Sequence, residues 1–134
     1  MKDLKGKVAI VTGSSSGVGA ATASMLASKG CNVVINFNSN SAGAESVAKE
    51  CEKQDVETLT VQANVANDAD CKALAEAAVQ KWGRIDVLVN NAGTTKFMDH
   101  SNLDGLTADD FQKIYGVNVI GAYQMVRAVA EQMK

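Results

Sequence analysis

No block of basic residues, no run of one charge and no apolar stretch of bilayer length occurs in these 134 residues. The first absence argues against nucleic acid as a partner, the second against a disordered charged tail, and the third against a membrane span. Met1-Lys2-Asp3-Leu4 lacks the apolar core of a signal peptide, so a cytoplasmic protein is expected. The three cysteines, Cys31, Cys51 and Cys71, are odd in number, form no C-x-x-C pair and share no flanking sequence despite their even spacing. They read as reduced thiols of an intracellular protein; neither a metal site nor a disulfide framework is expected. Histidine occurs once, at His100, with no serine or acid arranged around it as a relay, and reads as an exposed loop residue. What remains is the makeup of a soluble globular protein: 46% apolar, 21% charged, net charge −2. Residues 1–134 make one domain, and a domain of this size buries about two-thirds of its unfolded surface.

The stretch from Lys7 to Gly19, KVAIVTGSSSGVG, carries the chemistry. It reads as a short apolar strand, a glycine-rich turn and the start of a helix. A strand feeding directly into a helix leaves the first helical N–H groups unpaired above the strand's end. A pyrophosphate there would receive those hydrogen bonds and the positive end of the helix dipole. Gly13, Gly17 and Gly19 are spaced G-x-x-x-G-x-G. A Cβ at such positions would block the tight turn, the phosphate's approach, or the packing of helix on strand. The spacing differs from the G-x-G-x-x-G dinucleotide fingerprint, so that pattern is not claimed.

Strand and helix then alternate. Val18, Ala21, Thr22, Met25 and Leu26 fall on one helical face, which is expected to point inward, and Lys29-Gly30 closes that helix. Asn32 to Phe37 reads as strand two, and helix two runs from about Ala42 to Gln54 with Ala44, Val47, Ala48 and Cys51 inside. Strand three is Glu57 to Gln62. Helix three starts at an Asn67 cap, turns Cys71, Leu74, Ala75, Ala78, Val79 and Trp82 inward and ends at Gly83. Strand four is Ile85 to Val89. This alternation predicts an α/β, doubly wound parallel sheet in the order 3-2-1-4, with right-handed crossovers. Ligands of such sheets bind outside the carboxyl ends of the strands, where the order reverses.

TGSSSGVG (Thr12 to Gly19), followed about seventy residues later by NNAG (Asn90 to Gly93), resembles the short-chain dehydrogenase/reductase family along the entire chain. The resemblance implies a Rossmann-type oxidoreductase that moves a hydride between NAD(H) or NADP(H) and a small alcohol/carbonyl substrate. It implies that Gly13, Gly17, Gly19 and the Ser14-Ser15-Ser16 turn hold the pyrophosphate, with Val18 offering its backbone N–H. Asn64 and Val65 match the pair that brackets the adenine. Asn91, Ala92 and Gly93 would line the nicotinamide ribose side and brace strand four against the glycine turn. Asn118, in GVNVIG, matches the helix asparagine of the catalytic set, which helps anchor a water chain to the catalytic lysine.

The choice of nicotinamide turns on the end of strand two. NAD-selective proteins usually carry an acid there for the ribose 2′-OH. This chain has Asn36-Phe37-Asn38-Ser39-Asn40 and no acid, which admits the 2′-phosphate of NADP(H) near Asn38 and Ser39. No Arg or Lys occurs between Gly30 and Val47, and Ser16 stands where many NADP-using relatives carry a basic residue. NADP(H) is the expected cofactor, with NAD(H) still open.

Thr107-Ala108-Asp109-Asp110 resembles a capping box, and Ile114 to Ala130 is apolar on nearly every side. Such a helix must be covered on both faces. One face suits the sheet, and the other, across residues 107–134, suits a second subunit, as in the family. The family's acid is a tyrosine followed four residues later by lysine, on a later helix and preceded by a serine. Tyr123 and Arg127 copy the spacing, but Tyr123 lies only five residues past Asn118, and arginine does not relay protons as lysine does. Tyr123 is read as a packing residue. The expectation is an incomplete NAD(P)-binding domain, inactive alone, that belongs to a longer oxidoreductase. A non-catalytic nucleotide-binding or assembly module on the same half-fold is the alternative. Lys96 to Leu106 borders the substrate pocket without decodable chemistry.

Overall fold

A computed structural model describes residues 4–93 and 105–133. The short apolar runs form β1 (Val8–Val11), β2 (Asn32–Phe37), β3 (Thr58–Gln62) and β4 (Val87–Val89). Between them lie α1 (Gly17–Ser28), α2 (Ser41–Glu52) and α3 (Asp68–Trp82). The chain ends in α4 (Ala108–Tyr115), a π-helical segment (Gly116–Ile120) and α5 (Gly121–Met133). The sheet order is β3-β2-β1-β4 and every pairing is parallel, with Ile10 in register between Val34 and Leu88. This is the Rossmann-type arrangement the alternation predicts.

Successive strand residues point to opposite faces of a sheet, and β1 and β2 sort accordingly. Val8, Ile10 and Val34 pack with Cys71, Leu74, Ala78, Met125 and Val129 under α3 and α5. Val11, Val33 and Ile35 pack with Ala23, Ala27, Ala44, Val47 and Cys51 under α1 and α2. The inner faces predicted for α2 and α3 are found, with Val79 and Trp82 of α3 half-buried at the margin. Asn67 caps α3 by accepting from the Asp70 N–H, and Gly83 ends it at a positive φ of 74°.

The inward face of α1 differs from the expectation. Gly19, Ala23 and Ala27 are buried, while Val18 is 74% and Met25 66% exposed. A glycine and two alanines, each four residues apart, let the helix axis approach β1 closely, and larger side chains are excluded from that seam. Two strands are also shorter than expected. At the start of β4 the Asp86 N–H donates to the Val8 carbonyl (2.8 Å), while the Asp86 carboxylate accepts from the Val8 N–H (2.9 Å) and from both Arg84 Nε and Nη2. That guanidinium holds the Asp86 pKa below the usual carboxylate range. Helix α2 begins one residue early because Asn40 Oδ1 caps the Gly43 N–H.

The Thr107 cap is a full capping box: its hydroxyl accepts from the Asp110 N–H and the Asp110 carboxylate accepts from the Thr107 N–H. Beyond it the helix carries a π segment that nothing in the apolar pattern announced. Gly121, Met125 and Val129 of α5 are buried against the sheet side. Phe111, Tyr115, Val119, Tyr123 and Val126 stand exposed on the other side. No helix among the described residues is long and apolar enough to cross a membrane. The cysteines are free and buried, and burial pushes the thiols of Cys31 and Cys71 up to about 11. His100 and much of the segment Lys96 to Leu106 lie outside the described residues.

Candidate functional site

The carboxyl ends of all four strands open on one cleft of about 410 Å³. Gly13 reaches it from β1, Asn38 and Ser39 from β2, Asn64 and Val65 from β3, and Ala92 and Gly93 from β4. Gln112, Lys113, Gly116 and Val117 supply a further wall from the last helix. Seven of the residues expected from sequence are thus brought together, at the point where the strand order reverses.

Each glycine of the turn has its own reason. Gly13 has φ +62°, and a Cβ there would lie 2.8 Å from the Ala92 Cα. A Cβ on Gly19 would strike the Gly13 carbonyl and lie 2.5 Å from Asn91 Nδ2. Gly17 has φ +60° but open space above it, with nothing within 4 Å of the Cβ position. Backbone conformation requires glycine at Gly17, and close packing requires it at Gly19.

The serines of the turn do not act as one group. Ser14 is buried, its hydroxyl donating to the Val11 carbonyl at 2.7 Å and accepting from the Asn36 N–H at 2.9 Å. Its side chain is therefore committed to the fold and not available to a ligand. Ser15 is half-buried, and Ser16 is exposed at the N-cap of α1 without a side-chain capping bond. The first intrahelical bond of α1 runs from the Ala20 N–H to the Ser16 carbonyl, so the N–H groups of Gly17, Val18 and Gly19 lie ahead of it. By contrast α2, α3 and α4 each have a side-chain cap.

Two polar residues to which the sequence alone assigns no role hold the turn in place. Thr12 Oγ1 accepts from the N–H groups of both Asn91 and Ala92 at 3.0 Å. Asn36, almost fully buried at the end of β2, accepts from the Gly13 N–H through Oδ1 (3.0 Å) and donates through Nδ2 to the Ala63 carbonyl (3.2 Å). Asn91 donates from Nδ2 to the Gly13 carbonyl at 3.0 Å, which is the expected brace between strand four and the glycine turn. The signal for Asn36 was legible in principle: a lone amide at the end of the apolar run VVINF must find partners when buried.

The loop after β3 is fixed from the opposite side. Asn64 Oδ1 accepts from the Ala66 N–H, and the Val65 carbonyl accepts from Gln124 Nε2 (2.7 Å) and Cys71 Sγ (3.2 Å). Gly121 lets α5 sit against Val65: a Cβ there would lie 2.6 Å from Val65 Cγ2. Asn118 falls inside the π segment, a geometry common at functional sites. A Cβ on Gly93 would come within 3.4 Å of the Asn118 Oδ1, so the asparagine reaches the rim of the cleft.

Tyr123 corrects the expectation of a packing residue. It is 62% exposed, the Arg127 guanidinium lies 5.4 Å from its ring centroid, and Arg127 Nη2 donates to Asp68 at 2.6 Å. Asp68 in turn holds the Arg127 pKa above its ordinary value. The outward-facing part of the last helix follows from the sheet claiming its other side. Neither Tyr123 nor Arg127 lines the cleft.

Residues 7–134 match the short chain dehydrogenase family. An uncharacterized oxidoreductase of Methylorubrum extorquens is 40% identical over 133 residues, covering 99% of this chain and 52% of the relative. A 3-oxoacyl-(acyl-carrier-protein) reductase of Synechocystis is 39% identical, covering 99% of this chain and 53% of that enzyme. The crystal structure of a short chain dehydrogenase from Burkholderia cenocepacia in complex with NADP superimposes with a TM-score of 0.91 at 32% identity, over 98% of this chain and 53% of that one. The chain belongs to the short-chain dehydrogenase/reductase family of oxidoreductases, and it spans about half the length of the curated relatives it matches.

Proposed function

We propose that this chain is the cofactor-binding part of an oxidoreductase that transfers a hydride between NADP(H) and an alcohol/carbonyl substrate. The observation that carries this reading is the uncapped N-terminus of α1, entered through Gly13 and Gly17, beside a cleft that crosses the ends of four parallel strands. The fit is chemical as well as spatial. The open space above Gly17 admits a phosphate, and the backbone N–H groups of Gly17, Val18 and Gly19, flanked by Ser15 and Ser16, are donors for it. In this reading Asn64 and Val65 bracket the adenine, Ala92 and Gly93 flank the nicotinamide ribose with Asn91 behind them, and Asn118 anchors the catalytic set. A bound nicotinamide supplies the hydride. The residues of this chain hold and orient it.

Asn38 and Ser39 line the cleft at the end of β2, where a carboxylate would repel a 2′-phosphate, and no acid is present there. NADPH is therefore expected to bind more tightly than NADH. Dissociation constants measured by fluorescence decide the matter, and a tenfold preference for NADH would overturn it.

The exposed row of Phe111, Tyr115, Val119, Tyr123 and Val126 is proposed to meet a second copy of the chain. Contiguous apolar surface of this kind is costly in water, and β4 adds an edge strand beside it. The 134-residue chain is expected to self-associate. A stable monomer in light scattering at concentrations on the order of micromolar would rule this out.

A further inference from the structure

The proposed 2′-phosphate position poses an electrostatic problem. A phosphate monoester carries nearly two negative charges at neutral pH, yet Asn38 and Ser39 offer only neutral donors. Among the described residues lining the cleft, Lys113 is the one that carries a charge. It lines the cleft from α4, as an exposed residue one turn before Gly116. The local acids are otherwise arranged. The Asp110 carboxylate accepts from the Thr107 N–H at 2.9 Å. Asp109, one turn earlier, forms no ion pair with Lys113 within 4.0 Å among the described residues.

We propose that Lys113 is the specificity-determining cation of this cleft, reaching across it from α4 to the 2′-phosphate that Asn38 and Ser39 receive on the β2 side. The proposal deepens the NADP(H) reading and rests on it. A lysine suits this position because its ammonium is a compact point charge on a four-carbon stem, which bends to meet an anion without a fixed fork geometry. Its charge also explains how a cleft with no basic residue at the end of β2 can favour the more highly charged dinucleotide. NAD(H) has no phosphate at that position, so Lys113 adds little to its affinity.

The test compares Lys113→Gln and Lys113→Arg with the unchanged chain, using NADPH and NADH as probes at low and high salt. Lys113→Gln is expected to weaken NADPH about tenfold, which is ~1.4 kcal/mol, and to leave NADH within twofold. Lys113→Arg is expected to keep most of the NADPH affinity. The NADPH advantage of the unchanged chain should also shrink as salt screens the pair. Equal weakening of both dinucleotides, or no change in either, overturns the role of Lys113 while leaving the cofactor reading intact. Failure of the unchanged chain to bind either dinucleotide overturns the cofactor reading itself. Melting curves that coincide for the three proteins establish that the comparison is of folded chains.

Discussion

The 134-residue chain is expected to give no measurable oxidation of NADPH with any of a panel of ketones, whereas a longer protein that continues it with a serine and a Y-x-x-x-K pair is expected to turn over. Hydride transfer to a carbonyl leaves an alkoxide, which needs a proton donor within hydrogen-bond reach of the carbonyl oxygen. Tyr123 does not meet that need. Its ring lies outside the cleft, under an arginine already bound to Asp68. Tyr115 is likewise exposed on the outer side of the last helix and absent from the cleft lining. Loss of one acid–base group typically costs about 10²–10⁴-fold in rate. Tyr123→Phe is the control. Turnover that disappears on that change would make Tyr123 an acid after all, and turnover that survives it would show that another group in the chain supplies the proton.

Gly17→Val is expected to abolish binding of NADPH and NADH alike while leaving the fold largely in place. Beyond its chain neighbours nothing lies within 4 Å of the Cβ position at Gly17, so the new side chain is expected to fill the space proposed for the phosphate. The cost to the fold is that of a non-glycine residue at φ +60°, about 1–2 kcal/mol. Gly19→Val separates binding from folding, because its side chain would run into the Gly13 carbonyl and Asn91. That variant is expected to lose stability by about 1–3 kcal/mol or more, as overpacked sites do. Titration calorimetry with parallel melting curves distinguishes the two. A Gly17→Val chain that binds either dinucleotide within threefold of the unchanged chain would show that the phosphate lies elsewhere.

The sheet was legible because its signals are local. VAIV and NVVINF are apolar runs of strand length, Asn67 and Gly83 mark the two ends of α3, and the crossovers leave little choice of strand order. The glycine turn was legible in part for the same reason, since the positive φ of Gly13 and Gly17 is a local demand of the tight turn. What could not be read depends on partners distant in sequence. Thr12 gains its role from Asn91 and Ala92, nearly eighty residues on, and Asn36 gains its role from Gly13 and Ala63. The sequence groups Ser14 with Ser15 and Ser16 as expected phosphate ligands, yet the backbone turns its hydroxyl inward to Val11. The inward face of α1 was misjudged because apolar residues were weighed by hydrophobicity, when the close approach to β1 selects for small size. Lys113 reads as one more surface charge on an amphipathic helix until the fold brings α4 over the cleft.

The central claim is that the cleft at the ends of the four strands holds a nicotinamide dinucleotide by its backbone. Hydrogen–deuterium exchange of the 134-residue chain with and without NADPH tests it most directly, because it reads backbone amides. The account predicts slowed exchange in peptides covering Gly13 to Gly19, Asn64-Val65 and Asn91 to Gly93, with no change in the α2 segment around Lys49 to Lys53. Binding without protection of the Gly13 to Gly19 peptide, or no protection anywhere at saturating NADPH, would contradict it.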